Sequence, residues 1–220
     1  MKKLAVFDLD GTLHHTELAL APAIAMAVSD ITGREAPSFE EINSLYGEPL
    51  EVFCRKLTGT DGQEAYSRFM ERVRYHQALT IPRQGALYAG TREMLEKLSE
   101  EGFDLAVLSN AHQNYIHEVT EALGIKGLFV MLQGRSGEAS KTARLAEMID
   151  GYDFAVMAGD RYHDIQAALE NSIPAIACAY GYGSEKEHEG AVSVEEPMQI
   201  VQVVRDMLFS FQATFELERY

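Results

Sequence analysis

The sequence predicts a doubly wound parallel α/β sheet, interrupted just after its first strand by an α-helical insert. Three observations carry that prediction. The run Leu4-Ala5-Val6-Phe7 is continuously apolar and leads through Asp8, Leu9 and Asp10 to the turn residue Gly11, the pattern of a strand buried on both faces. Roughly seventy residues follow with helical spacing and no strand signal. From Thr91 onward helices and strands alternate, which calls for right-handed crossovers and helices on both faces of the sheet.

Within the insert, residues 17–31 are Ala- and Leu-rich at helical spacing, and Gly33 ends the run. Ser38 can cap a short helix reaching Leu45, with Glu41 three residues on completing a capping box. Gly47 and Pro49 break that helix, and another covers 50–57. Asp61 can cap a longer helix that aligns Phe69, Val73, His76 and Leu79 on one stripe. Pro82, Gly85 and Gly90 mark the return. The expected division is a core of 1–14 and 84–220 and a helical cap of 15–83, joined by hinges at 14–16 and 81–85.

In the core, 91–101 is an amphipathic helix ended by Gly102, and 103–108 is a buried strand leading into Ser109-Asn110. A helix over 112–123 closes at Gly124, followed by a short strand at 128–132 and a loop at 134–137. Helix 141–149, strand 154–158, helix 165–170 and strand 175–179 complete the alternation, with Pro174 before the last strand and a terminal helix at 200–208. Beyond it Phe209, Phe211, Phe215 and Leu217 make an apolar end that must be buried on the core or on a second subunit, so the chain is expected to be a monomer or a homodimer.

Composition narrows the partners. With 19 basic and 34 acidic residues the formal net charge is −15, which argues against a nucleic acid or an anionic membrane. Lys2-Lys3 is followed by too few apolar residues for a signal-peptide core, and no run approaches a membrane span. Cys54 and Cys178 read as reduced core thiols of a cytoplasmic protein.

The chemistry gathers at strand ends. Asp8 and Asp10 are one residue apart, so an extended backbone puts both carboxylates on one side. Two such charges about 4 Å apart repel by roughly 4 kcal/mol at an effective dielectric of 20, which calls for a cation or a retained proton. Gly11 allows the turn and Thr12 adds a hydroxyl. Ser109-Asn110 also follows a strand, and Lys141 starts a helix after a Gly-containing loop. Lys126 precedes its strand and falls at the wrong end of the sheet. Asp160 stands at a strand end and Asp164 near the first turn of the next helix. His14-His15 reads as an exposed linker pair, and His112 and His163 as rim residues.

Together these residues resemble the four motifs of the haloacid dehalogenase superfamily. Residues 8–13 match D-x-D-G-T-[LV] at every position, Ser109 the second motif, Lys141 the third, and 159–164 the G-D-x-x-x-D of the fourth. The helical insert places the resemblance in the phosphoglycolate-phosphatase-like branch. Two departures stand out: Thr142-Ala143 where Pro is frequent after the Lys, and Asn171 where Gly is usual before the final strand, a position at which Asn tolerates the same left-handed backbone.

The resemblance implies a phosphatase acting on a small phosphorylated metabolite. Asp8 would attack phosphorus and Asp10 would serve as general acid and base. Thr12, Ser109, Asn110 and Lys141 would hold the transferred group. Mg²⁺, favoured by the all-oxygen ligands, would be bound by Asp8, Asp160 and the Asp10 carbonyl, with Asp164 beside it. No His or Cys spacing suits zinc. The acid at Asp10 argues against a dehalogenase. A sugar phosphomutase and a phosphate-binding regulatory protein remain as alternatives. Arg55, Lys56, Arg72, Arg74 and Arg83 are cap residues that could grip a second anionic group.

Overall fold

A parallel sheet flanked by helices is present in the computed structural model, which describes residues 1–45, 50–135 and 137–217. In chain order, β1 (Lys3–Phe7) is followed by α1 (Thr16–Thr32), α2 (Phe39–Asn43), α3 (Leu50–Thr58) and α4 (Gln63–Gln84). Then come α5 (Thr91–Glu100), β2 (Phe103–His112), α6 (Gln113–Ala122), β3 (Met131–Arg135), α7 (Lys141–Ile149), β4 (Phe154–Gly159) and α8 (Tyr162–Glu170). The chain closes with β5 (Ala175–Cys178), β6 (Val192–Val194) and α9 (Gln199–Leu217). It divides into two compact units, Met1–His14 with Leu87–Tyr220, and His15–Ala86.

Among the described residues the sheet of the first unit has the order β3-β2-β1-β4-β5-β6, with all neighbours parallel. β1 and β4 are its central strands, apolar from Leu4 on in β1 and throughout β4, because both faces are covered. Leu4, Val6, Met157 and Ala177 pack with Leu145 and Met148 of α7 and Ile165 and Ala168 of α8. Truncating a fully buried Leu such as Leu145 to Ala would cost about 2–5 kcal/mol. The connections run outward from β1 through β2 to β3, then return to place β4 on the other side of β1. That reversal is where open parallel sheets bind ligands. Phe7 is in register with Ala158, so the residues that follow on β1 and β4 leave the sheet side by side.

The β1 exit is a tight turn. The Gly11 amide bonds the His14 carbonyl at 3.0 Å and the His14 amide bonds Leu9 at 2.9 Å, with Gly11 at φ 79°. A Cβ on Gly11 would sit 2.4 Å from Asp160 Oδ2, so this position needs glycine for space as well as for φ. Isolated bridges join His14 to Asp10 and to Leu87. His14 is therefore fully buried, where an exposed linker residue was expected.

The second unit has its own core, built from Ile24, Ala27 and Val28 of α1, Ile42 of α2, Phe53 of α3 and Phe69 and Val73 of α4. Gly33 ends α1 at φ 66°, and Ser38 and Glu41 form the expected capping box. Gly62, not Asp61, is the N-cap of α4. Leu79 is exposed and Thr80 takes the buried position, donating to the Ala19 carbonyl at 2.8 Å. Pro82 does not end α4, which runs on to Gln84. Arg72 donates to Asp30 through Nε at 3.0 Å and is tied to the cap surface. The helix break expected at Gly47 and Pro49 lies outside the described residues, as do the side chains of Phe215 and Leu217.

Several boundaries in the first unit differ from expectation. β2 runs past Ser109 to His112, because its pairing with β3 resumes after a register break. Residues 126–128 form a single 3-10 turn, so β3 starts at Met131 and includes Gly134. α8 begins three residues early, since Asp164 accepts the Arg161 amide at 3.0 Å and caps the first turn. Asn171 keeps φ −89° and spends its amide on the Thr142 and Ala167 carbonyls; the left-handed residue is Ser172, at φ 56°. α9 extends nine residues beyond the expected end at Leu208. Cys54 and Cys178 are free and buried, and burial pushes the Cys178 thiol up to about 12. No helix of the described residues is long and apolar enough to cross a membrane.

Candidate active site

Asp8, Asp160 and Asp164 converge where β1 and β4 end. One carboxylate oxygen of each lies within 4.8 Å of the others, and all three residues are buried. Lys141, at the start of α7, donates to Asp8 Oδ1 at 2.6 Å and also to Asp164 Oδ1. The residue after Ala158 must be glycine for this packing: a Cβ on Gly159 would stand 2.3 Å from Asp164 Cβ.

Three buried carboxylates around one ammonium leave an excess of negative charge. Burial pushes the Asp8 carboxyl well above the ordinary range; Lys141 pulls it back, and Asp164 and Asp160 push it further up. Asp160 is raised to about 6, mainly by burial, against the pull of the Tyr182 amide that bonds its Oδ2 at 2.8 Å. For Lys141, burial opposes the charge, but Asp164 and Asp8 outweigh it and hold the ammonium above the usual lysine value. Three buried carboxylates held this close, all offering oxygen, fit a hard divalent cation at this point.

Of the remaining sequence-selected residues, Thr12 contacts this cluster. Thr12 is fully buried, with its hydroxyl 3.5 Å from Asp160 Oδ1 and its carbonyl accepting from the Tyr180 hydroxyl at 2.9 Å. Ser109 is buried in β2; its Oγ accepts the Ala111 amide at 3.1 Å and keeps its own hydrogen to donate. Asn110 is exposed, and its Oδ1 accepts from Arg144 at 2.7 Å. The Asp10 carboxylate stands outside the acid cluster: its Oδ1 accepts from the Tyr115 hydroxyl at 2.8 Å and lies 3.3 Å from His14 Nδ1. His112 and His163 are exposed, and Lys126 pairs with Glu121 at 2.8 Å.

Sequence reasoning missed four side chains here. His14 and Tyr115 reach Asp10. His188 Nε2 holds the Asp160 carbonyl at 2.8 Å. Arg144 is a buried guanidinium that donates to the Ser109 carbonyl at 2.8 Å and the Gly134 carbonyl at 2.9 Å. The missed signal for Arg144 was its place three residues after Lys141, on the same helix face.

A doubly wound sheet that brings a strand-end carboxylate, a second acid two residues on, a buried lysine and a further acid pair to its switch point defines a hydrolase of the phosphomonoester class. The chain belongs to the haloacid dehalogenase-like hydrolase family, whose model matches residues 5–178. It is 31% identical to a phosphoglycolate phosphatase of Haemophilus influenzae, over 82% of this chain and 87% of the relative. It is 26% identical to a 5'-nucleotidase of Pseudomonas aeruginosa, over 83% and 85%. In fold it is similar to the crystal structure of a predicted phosphoglycolate phosphatase from Haemophilus somnus, with a TM-score of 0.77, 22% identity, and coverage of 92% and 98%.

Proposed function

We propose that the chain is a Mg²⁺-dependent phosphatase of small phosphorylated metabolites that works through an aspartyl-phosphate on Asp8. The observation that carries this reading is the division of labour among the acids. Asp8 is tied to Lys141 within the metal-fitting cluster, while Asp10, two residues away, faces a separate set of donors. A nucleophile and a proton-transfer group need such different surroundings.

Mg²⁺ held by Asp8, Asp160 and the Asp10 carbonyl, with Asp164 beside it, would neutralise the acids and polarise the phosphoryl group. An Asp8 oxygen attacks phosphorus, the bond to the leaving oxygen breaks, and Asp10 gives that oxygen its proton. A water molecule then attacks the aspartyl-phosphate, passes a proton to Asp10, and releases inorganic phosphate with Asp8 restored. Lys141 and the Ser109 hydroxyl are the donors for the transferred oxygens, with Asn110 beside them. The acidic chain, its buried free thiols and this chemistry support a cytoplasmic enzyme with a small-molecule substrate and no nucleic-acid or membrane partner.

The test is phosphate release across phosphorylated metabolites, beginning with phosphoglycolate and nucleoside 5'-monophosphates because relatives carry those names. Release should require Mg²⁺ and stop with excess chelator. Turnover that persists without metal would defeat the site assignment; product returned as an isomeric phosphate would indicate a mutase; tight binding without turnover would indicate a regulatory protein.

A further inference from the structure

We infer that Arg144 is a positioning residue: its guanidinium turns the side-chain amide of Asn110 so that Nδ2, and not Oδ1, faces the transferred phosphoryl group. This deepens the phosphatase reading above and rests on it, and it gives a role to a residue outside the four motifs. Lys141 and Arg144 lie three apart on α7, so one turn of helix carries both cations to its buried face. Lys141 goes to the acids. Arg144, only 2% exposed, goes to the end of β2. There Nη1 donates to the Ser109 carbonyl at 2.8 Å and the Gly134 carbonyl at 2.9 Å, and Nη2 donates to Asn110 Oδ1 at 2.7 Å.

The backbone explains why a side chain is needed at this point. The pairing of β2 with β3 breaks between Leu108 and His112, the stretch that carries Ser109 and Asn110. Side chains take over from the ladder. Gln113 accepts the Gly134 amide at 2.7 Å and donates to the Leu132 carbonyl at 2.8 Å, while Arg144 ties the Ser109 and Gly134 carbonyls together across the gap. Gly134 must be glycine for this approach, because a Cβ there would stand 2.6 Å from the Gln113 backbone nitrogen. The third bond of Arg144 then fixes a direction. A guanidinium has donors only and no acceptor, so the Asn110 atom beside Nη2 has to be the carbonyl oxygen. The NH₂ at the other end of the amide is therefore turned away from the buried guanidinium. An amide left to rotate would offer either end, and Oδ1 presented to a phosphoryl oxygen repels it. Among the described residues no carboxylate pairs with Arg144. Burying a cation without one is costly, and here the cation is spent on holding three neutral oxygens beside the site.

The test uses the full chain with Mg²⁺ and 4-nitrophenyl phosphate, comparing Arg144→Met, Asn110→Ala, the two combined, and Asn110→Asp. Asn110→Ala removes one donor and should lower kcat by about 100-fold. Arg144→Met lets the amide turn and should lower kcat by about 10- to 100-fold, with KM changed by less than about threefold. The two losses should not multiply: in the Asn110→Ala background, Arg144→Met should cost less than about threefold in kcat. A purely structural Arg144 would cost the same factor in both backgrounds. Asn110→Asp keeps an oxygen for Arg144 but gives up the N–H donor. Its melting temperature should match or exceed the parent's, while its kcat falls at least as far as that of Asn110→Ala. Losses that multiply, an effect confined to KM, or parental turnover in Asn110→Asp would overturn the assignment. If Arg144→Met does not fold, Asn110→Asp decides alone: lost turnover at an undiminished melting temperature supports the assignment, and retained turnover or a lowered melting temperature overturns it. A parent that releases phosphate neither from this probe nor from the metabolites named above would remove the phosphatase reading and the assignment together. An active parent whose kcat is unchanged by Arg144→Met would remove the assignment only.

Discussion

Replacing Asp160 by Asn should make the metal-free protein more stable at neutral pH. Asp160 is fully buried, and its carboxyl is raised to about 6 from an ordinary 3.8. An acid that holds its proton more tightly when folded contributes most stability at low pH, and that contribution is lost as pH rises through about 4 to about 6. At about 1.4 kcal/mol per tenfold change in proton affinity, ionised Asp160 costs the fold about 3 kcal/mol at pH 7.5 and about 1 kcal/mol at pH 4.5. Asn keeps a carbonyl for the Tyr182 amide and places its NH₂ toward the Thr12 hydroxyl, so the substitution removes charge with little loss of bonding. Urea unfolding in chelator should show the variant ahead of the parent by up to about 3 kcal/mol at pH 7.5, with the gap closing toward pH 4.5. Saturating Mg²⁺ should reverse the order, because only the parent keeps the full ligand set. A variant no more stable than the parent at pH 7.5, or a gap independent of pH, would refute the reasoning.

Lys141→Met leaves Asp8 and Asp164 without their ammonium; it should cost about 3–5 kcal/mol in urea unfolding and abolish phosphate release. Adding Asp164→Asn to that variant should recover part of the stability and none of the activity. Asp8→Asn should remain folded by circular dichroism yet form no phosphorylated protein and show no turnover. Asp10→Asn should lose about 10²–10⁴-fold on poor leaving groups while accumulating trappable phosphate from 4-nitrophenyl phosphate; identical behaviour of these two variants would mean their roles are misassigned. Truncation after Ser210 removes Phe211, whose ring lies 5.4 Å from that of Phe154, and should lower the melting temperature; sedimentation should shift only if the terminal helix also joins two copies.

The central strands and the residues at their ends were legible because burial on both faces writes itself into sequence as an uninterrupted apolar run. Asp8 and Asp160 directly follow such runs, Lys141 and Asp164 lie in the first turns of later helices, and the structure brings all four together. β6 was not legible: it has three residues, two of them exposed, and no room for a pattern. His14 was misread because local polarity suggested a linker, while its burial comes from a pairing with Leu87 more than seventy residues away. Tyr115 and Arg144 were passed over for the same reason. Each looks like an ordinary helical residue until the fold delivers Asp10 to one and the Ser109 carbonyl to the other. Asn171 shows the reverse error, a correct sense that the chain turns sharply there but with the left-handed step one residue late.

The two central strands also determine how the molecule comes apart. Because Asp8 and Asp160 hang from β1 and β4, the best-covered strands of the sheet, the acid cluster cannot be opened by fraying at β3 or β6. Amide hydrogens at 4–7 and 154–159 should exchange only through whole-core unfolding, and partly unfolded forms that have shed an edge strand should still take up metal. Loss of the acid cluster would then report the last cooperative step of denaturation.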